Sequence, residues 1–179
     1  MDALRRARDP DEASAVPLVI GLGNEHRGDD AFGIAVARRL RRRLAGIGTV
    51  LERDSEGTEL LELWTGYDRV WVVDAVRAGG SPGTVYRIEV GAEALPTPLA
   101  VASSHGVSLG QAVALGQVLH RLPRHLVVHG VEPATFAIGG DLSAPVADAL
   151  EPVARRIEEE VRESGGPSAT APGQGRADA

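Results

Sequence analysis

Four stretches of this 179-residue chain carry side chains that could do chemistry. The first is the loop Gly21-Leu22-Gly23-Asn24-Glu25-His26-Arg27-Gly28, which ends on the acidic pair Asp29-Asp30. The second is Asp74, directly behind the apolar run Val70-Trp71-Val72-Val73. The third is His105, between Ser103-Ser104 and Gly106, and the fourth is Glu132, just past Gly130-Val131. A carboxylate that ends an apolar run is costly to bury without a partner. It either accepts backbone N–H bonds from the next turn, near Val76 or Arg77, or it presents oxygen to a cation. A helix offers one N-cap position, so capping accounts for one of Asp29 and Asp30 and leaves the other spare. The spare carboxylate either sits in water on the first turn or serves as a metal ligand or general base. One histidine and two aspartates make a mixed nitrogen–oxygen set. Such a set suits borderline divalent ions, with affinity rising through nickel to copper and falling back at zinc.

Several chemistries are excluded or disfavoured. With no cysteine there is no thiolate nucleophile, no disulfide partner and no Cys-based zinc or iron–sulfur site. No HExxH pair argues for a permanent catalytic zinc, and no GxSxG elbow is present. Ser103, Ser104 and Ser108 lie beside His105, but closeness in sequence is not triad geometry. The two glycines of the first loop suggest a dinucleotide fingerprint, yet position 26 holds histidine where the third glycine would stand. Two carboxylates at the helix entrance would also repel a pyrophosphate. His120, near a helix end, and His125 and His129, in a strand region, are assigned structural or surface roles. The 19 basic residues are all arginine and the net charge is −6, which gives no global attraction for nucleic acid. No apolar run approaches the roughly 20 residues that span a bilayer. The first fifteen residues are too charged for a signal peptide, so the expectation is a soluble cytoplasmic protein.

The elements that must position these groups follow from periodicity. Leu18-Val19-Ile20 reads as a buried strand, and Ile34, Ala37, Leu40 and Leu44 as the apolar face of a helix from about 31 to 45. A strand at 49–53, a short helix at 58–64 and a buried strand at 70–73 come next. The turn around Gly79, Gly80, Pro82 and Gly83 predicts an antiparallel hairpin with the strand at 84–90, placed at a sheet edge. A helix over 107–122 would turn Ala112, Leu115, Leu119 and Leu122 inward. His125–Val131 is the last strand. The final helix carries Val146, Leu150, Val153, Ile157 and Val161 on one side, with a kink or break expected at Pro152. Residues 1–15 read as a flexible arm, 16–163 as one α/β domain, and 164–179 as a disordered tail. The fold class is therefore α/β: a doubly wound, mostly parallel twisted sheet with one antiparallel edge hairpin and helices on both faces, of the phosphorylase/hydrolase-like kind. In such folds ligands bind beyond the carboxyl ends of the strands. Asp29, Asp30, Asp74, His105 and Glu132 all fall in or beside loops of that rim.

These blocks, taken in order, resemble the hydrogenase maturation endopeptidases. Gly21-Leu22-Gly23-Asn24, three further residues, Gly28, Asp29-Asp30 and Gly33 resemble the family's N-terminal signature. Ser55-Glu56-Gly57-Thr58-Glu59-Leu60-Leu61 is similar to its second glycine-containing loop, and Val72-Val73-Asp74-Ala75 to its strand-end aspartate. Pro82-Gly83-Thr84-Val85, Ser103-Ser104-His105-Gly106 and Gly130-Val131-Glu132-Pro133 follow in family order, so the resemblance spans about Leu18 to Val161. It departs at Ala31, where many relatives have glycine. It implies an endopeptidase that trims a C-terminal extension from the large-subunit precursor of a nickel–iron hydrogenase after nickel insertion. Asp30, Asp74 and His105 would then hold nickel carried by the substrate rather than bound permanently. Asp29 is the second-choice base; His26, a second departure because it is not part of the family pattern, offers a further nitrogen ligand. Gly21, Gly23, Asn24, Gly57 and Thr58 would form a substrate loop. The competing readings are a non-enzymatic nickel-binding accessory module and a nucleotide-binding α/β domain.

Overall fold

The computed structural model describes residues 16–54, 59–91 and 109–164. The expected N-terminal arm, Gly57, Thr58, His105 and all but the first residue of the expected tail lie outside the described residues. Five strands form one sheet, in the order β2-β1-β3-β5-β4. They are β1 (Leu18–Leu22), β2 (Thr49–Arg53), β3 (Arg69–Ala75), β4 (Val85–Val90) and β5 (His125–Val131). The helices are α1 (Phe32–Arg43), α2 (Leu60–Leu63), α3 (Leu109–Val118) and α4 (Ala144–Ser164), with a 3-10 turn at Gly28–Ala31 leading into α1.

Alternation along the strands builds two cores. Leu18, Ile20, Val70, Val72, Leu126 and Val128 face α2 and α3. Val19, Trp71, Val73 and Val127 face α1 and α4, where Phe32, Val36, Leu40, Leu150, Val153 and Ile157 meet them. Each such aliphatic side chain contributes about 1.5–3 kcal/mol on burial. The sheet is thus covered on both faces, and its central strands read as unbroken apolar runs, as parallel strands do.

The pairing of the fourth strand differs from expectation. β4 is an antiparallel edge strand, but its partner is β5, with Val85 opposite Val131 and Val90 opposite Leu126. β5 pairs in parallel with β3 and separates it from β4. The segment from Val76 to Thr84 is long enough to step across one strand spacing more than a hairpin needs. Glu132 fixes that path. Its buried carboxylate accepts bonds from the N–H groups of Ala78 (2.8 Å), Gly79 (3.4 Å) and Gly80 (3.2 Å), and from the Tyr86 hydroxyl (3.0 Å). Burial alone would raise its pKa, but these donors outweigh burial and hold it below the usual glutamate value.

Two helices also depart from the pattern. Helix α3 buries Leu109, Gly110, Ala112, Val113 and Gly116, while Leu115 and Leu119 face outward. The small residues win the contact because they let the helix approach the sheet and Trp64. Helix α4 runs through Pro152 without a break. Its buried face of Val146, Leu150, Val153, Ile157 and Val161 outweighs one lost backbone bond.

Helix α3 ends in a Schellman motif. The N–H of Arg121 reaches the Gly116 carbonyl at 2.8 Å, and that of His120 the Gln117 carbonyl at 3.2 Å. His120 therefore sits at φ 52°, the one described non-glycine residue in the left-handed region. Replacing it with glycine removes that strain. His120→Gly is expected to gain about 1 kcal/mol in denaturant melts.

His129 is structural, as its strand position implied. Its Nε2 lies 3.2 Å from Glu160, which also accepts bonds from Trp71 (2.9 Å) and Arg87 (2.7 Å). His125 packs edge-on to Trp71, with ring centroids 5.7 Å apart.

Candidate active site

The strand order places a topological switch point between β1 and β3. From β1 the chain crosses to β2 on one side, and the next strand returns to β1's other side. Loops leaving the carboxyl ends of two such strands diverge and leave a crevice, the general ligand site of doubly wound sheets. Asp30 lies in the turn after β1 and Asp74 in the last residues of β3, where Gly21 pairs with Val73. Period-two alternation puts Asp74 on the sheet face that Val70 and Val72 occupy, at the rim of the α2–α3 core.

The two carboxyls share an electrostatic environment. Burial raises the Asp74 pKa first, and the charge of Asp30 adds to it, giving a value of about 7; the Ala75 N–H, 2.8 Å from Oδ1, offsets only part of this. Burial also raises the Asp30 pKa, countered by the Asn24 N–H at 3.2 Å and by Arg27, while Asp54 pushes it up further. The Asp30 charge is thus the second cause of the rise at Asp74, behind burial. Asp74 does not cap the turn near Val76 or Arg77: its bond is to the N–H of the very next residue. A half-buried carboxyl that titrates near neutral pH beside a second carboxylate is a site-forming arrangement.

Asp29 has a different task from the one expected. It is fully buried, and its oxygens accept bonds from the N–H groups of Ala134 (2.7 Å), Thr135 (3.0 Å) and Ser143 (2.7 Å), and from the Ser143 hydroxyl (2.9 Å). Burial alone would raise its pKa, but the Ser143, Thr135 and Ala134 donors outweigh burial and leave it lowered. The proposal that Asp29 is a general base is corrected here: its lone pairs are committed and water has no access. Nor does either aspartate cap α1, whose entry residues carry no side-chain cap bond.

Gly21 and Gly23 are buried, and close backbone packing accounts for both. A Cβ at Gly21 would strike the Gly33 carbonyl, and one at Gly33 the carbonyls of Leu22 and Val73. These residues exist for the close crossing of α1 over β1 and β3. Gly23 adopts φ +128°, and a Cβ there would strike the Asp30 carbonyl, so it sets how tightly the Asp30 turn folds back. Asn24 is partly exposed; its N–H holds Asp30, and its Oδ1 accepts the His26 N–H at 2.9 Å. His26 is exposed.

Asp54, just past β2, also acts on this pair by raising Asp30, but β2 ends on Glu52-Arg53 and gives no apolar-run cue of the kind that marks Asp74. Among the described residues no group of three or more His, Asp or Glu is placed to hold a metal. Asp30 and Asp74 therefore need a further donor to complete a cation site.

Residues 34–160 match the model of the hydrogenase maturation protease family, a stretch that takes in Asp74. The chain is 30% identical over 138 residues to the hydrogenase expression/formation protein HupD of Bradyrhizobium diazoefficiens, covering 75% of this chain and 72% of that one. It is 27% identical over 152 residues to the hydrogenase 2 maturation protease of Escherichia coli, covering 83% and 92%. Among solved structures, the hydrogenase maturating endopeptidase HybD of E. coli has a TM-score of 0.69 at 24% identity, covering 84% of this chain and 94% of its own. The NiFe hydrogenase maturation protease HycI of Thermococcus kodakarensis has a TM-score of 0.62 at 27% identity, covering 86% and 97%.

Proposed function

Because the chain belongs to the hydrogenase maturation protease family, we propose that it removes the C-terminal extension of a nickel–iron hydrogenase large-subunit precursor once nickel is in place. The observation that carries this reading is the Asp30–Asp74 pair at the switch point, with Asp74 pushed to about 7 by burial and by Asp30. Two carboxyls that repel each other gain from a cation between them. In this reading the cation is nickel still held by the precursor's own ligands. Two oxygens, with nitrogen from His105, then complete its coordination rather than build a permanent site. His26, exposed on the first loop, is a further nitrogen donor in the same reading.

Cation binding displaces the Asp74 proton, so recognition of the nickel-loaded precursor strengthens as pH rises through 7. Holding nickel fixes the neighbouring peptide bond against attacking water, and such positioning contributes several kcal/mol, on the order of 7–11 at the ideal limit. The aspartic-type element is that a rim carboxylate receives the proton of that water. The place of action in this reading is the cytoplasm.

The test is to incubate the protein with nickel-loaded and nickel-free precursor and weigh the products. Loss of the extension from the loaded precursor alone is the expected result. A precursor that stays intact while nickel still binds would favour an accessory module. A thermal shift with nucleotide and none with nickel would favour a nucleotide-binding domain.

A further inference from the structure

The connection between β5 and α4 carries a run without charge, Pro133 to Gly140, in a chain in which 25% of residues are charged. This loop lies at the carboxyl end of β5, on the same rim as Asp30 and Asp74. Its backbone is fixed from both neighbouring loops. On the β1 side, the Asp29 carboxylate holds the Ala134 and Thr135 N–H groups, and the Asp29 N–H returns a bond to the Thr135 carbonyl at 3.1 Å. The Gly139 N–H donates to the His26 carbonyl at 2.8 Å. Gly28 packs beneath the carbonyls of Thr135 and Ala137, where a Cβ would crowd both. On the β3 side, the Arg77 guanidinium lies 4.7 Å over the Phe136 ring.

Between these anchors Ile138 stands 87% exposed. Single exposed aliphatic residues are common and carry no message by themselves. This one differs in its frame, because the residues on either side are tied to the two loops that present the carboxylates. A side chain held this way loses little freedom on binding, so nearly all its burial appears as affinity. It also stands at a fixed offset from the carboxylates, which is what a remote contact needs if it is to place a scissile bond.

We propose that the 133–140 loop is the site's docking element for the precursor polypeptide, with Ile138 inserting into an apolar recess of an uncharged stretch of that chain. This rests on the protease reading. The loop itself offers no charge for an acidic or basic segment to pair with, and the guanidinium beside it, Arg77, is stacked on Phe136, so an uncharged stretch is the matching surface. The clamp keeps the docked stretch in register with Asp30 and Asp74.

Ile138 carries no metal-binding group, so its contribution can be read without turnover. The probe is nickel-free precursor, and the measurement is its Kd for the full-length wild type, Ile138→Ser and Ile138→Leu. The exposed position makes all three fold alike. Ile138→Ser is expected to weaken binding about tenfold, and Ile138→Leu to remain within about twofold of wild type. Equal affinities for the serine variant and wild type, or no measurable binding by wild type, overturn the proposal. A wild type that binds through Ile138 yet never shortens nickel-loaded precursor strikes the protease reading alone.

Discussion

Asp74→Asn is expected to abolish precursor processing and, at the same time, to make the protein more stable. Asparagine keeps the volume and the acceptor for the Ala75 N–H at 2.8 Å. It removes the charge that would hold a cation, so processing falls by roughly a thousandfold, the scale of losing one principal electrostatic group. The stability gain follows from linkage. The Asp74 pKa is raised by burial and by Asp30 from 3.8 to about 7, so the folded state binds more protons than the unfolded state between those values. Stability contributed by this group therefore falls as pH rises from about 4 to about 7 and stays low above. The variant's advantage grows across that window and is flat beyond it. Asp74 is partly exposed, and solvent screening reduces the effect, leaving about 2 kcal/mol at pH 8. Chemical melts of both proteins at pH 4 and pH 8, beside a processing assay, check both halves.

Asp29→Ala is expected to be the most destabilising single change at the site. One fully buried carboxylate satisfies three backbone N–H groups and one hydroxyl, contributed by residues 134, 135 and 143. Alanine leaves the N–H donors buried without partners, and each such group costs about 1–3 kcal/mol. Water entering the gap recovers part of this, so the expected loss is about 4 kcal/mol in urea melts at pH 7. Because the folded pKa of Asp29 is lowered, its stabilisation is complete above the unfolded value of 3.8. It disappears as pH falls through the folded value. The gap between Asp29→Ala and wild type should therefore narrow in acid, as the Asp74 variant's does, but with the opposite sign: a loss rather than a gain. A loss below about 1 kcal/mol would mean that the clamp contributes little.

The contrast between these neighbours shows where a sequence can be read and where it cannot. Asp74 was legible because the cue is local: an apolar run ends on a carboxylate. Asp30 was legible because a glycine loop behind a strand places the next acidic residues at the rim. Asp54 carries neither cue, because β2 ends on Glu52-Arg53 rather than on an apolar run. The task of Asp29 was hidden, since its partners lie more than 100 residues away and three of the four donors are backbone N–H groups of any residue type. Glu132 was hidden for the same reason: it bonds a turn 52 to 54 residues earlier.

The fold divides along similar lines. Strands β1, β3 and β5 are apolar runs that nothing else could bury, and their parallel order follows from the helices between them. The partner of β4 did not follow, because a loop's length permits more strand positions than one. The inner face of α3 followed only in part. Ala112 is buried and Leu122 packs against the core as the pattern predicts, but Gly110, Val113 and Gly116 take the contact expected of Leu115 and Leu119. Pro152 broke a rule without breaking the helix, because local propensity is weak beside a long buried stripe.

The central claim is that Asp30 and Asp74 share one cation-seeking crevice. The most direct test is a carboxyl-carbon NMR titration of Asp74 in the wild type and in Asp30→Asn. The account predicts a midpoint near 7 in the wild type and a clear fall in the variant, stopping above the ordinary aspartate value because burial persists. A midpoint near 4 in the wild type, or one that Asp30→Asn leaves unmoved, would contradict it.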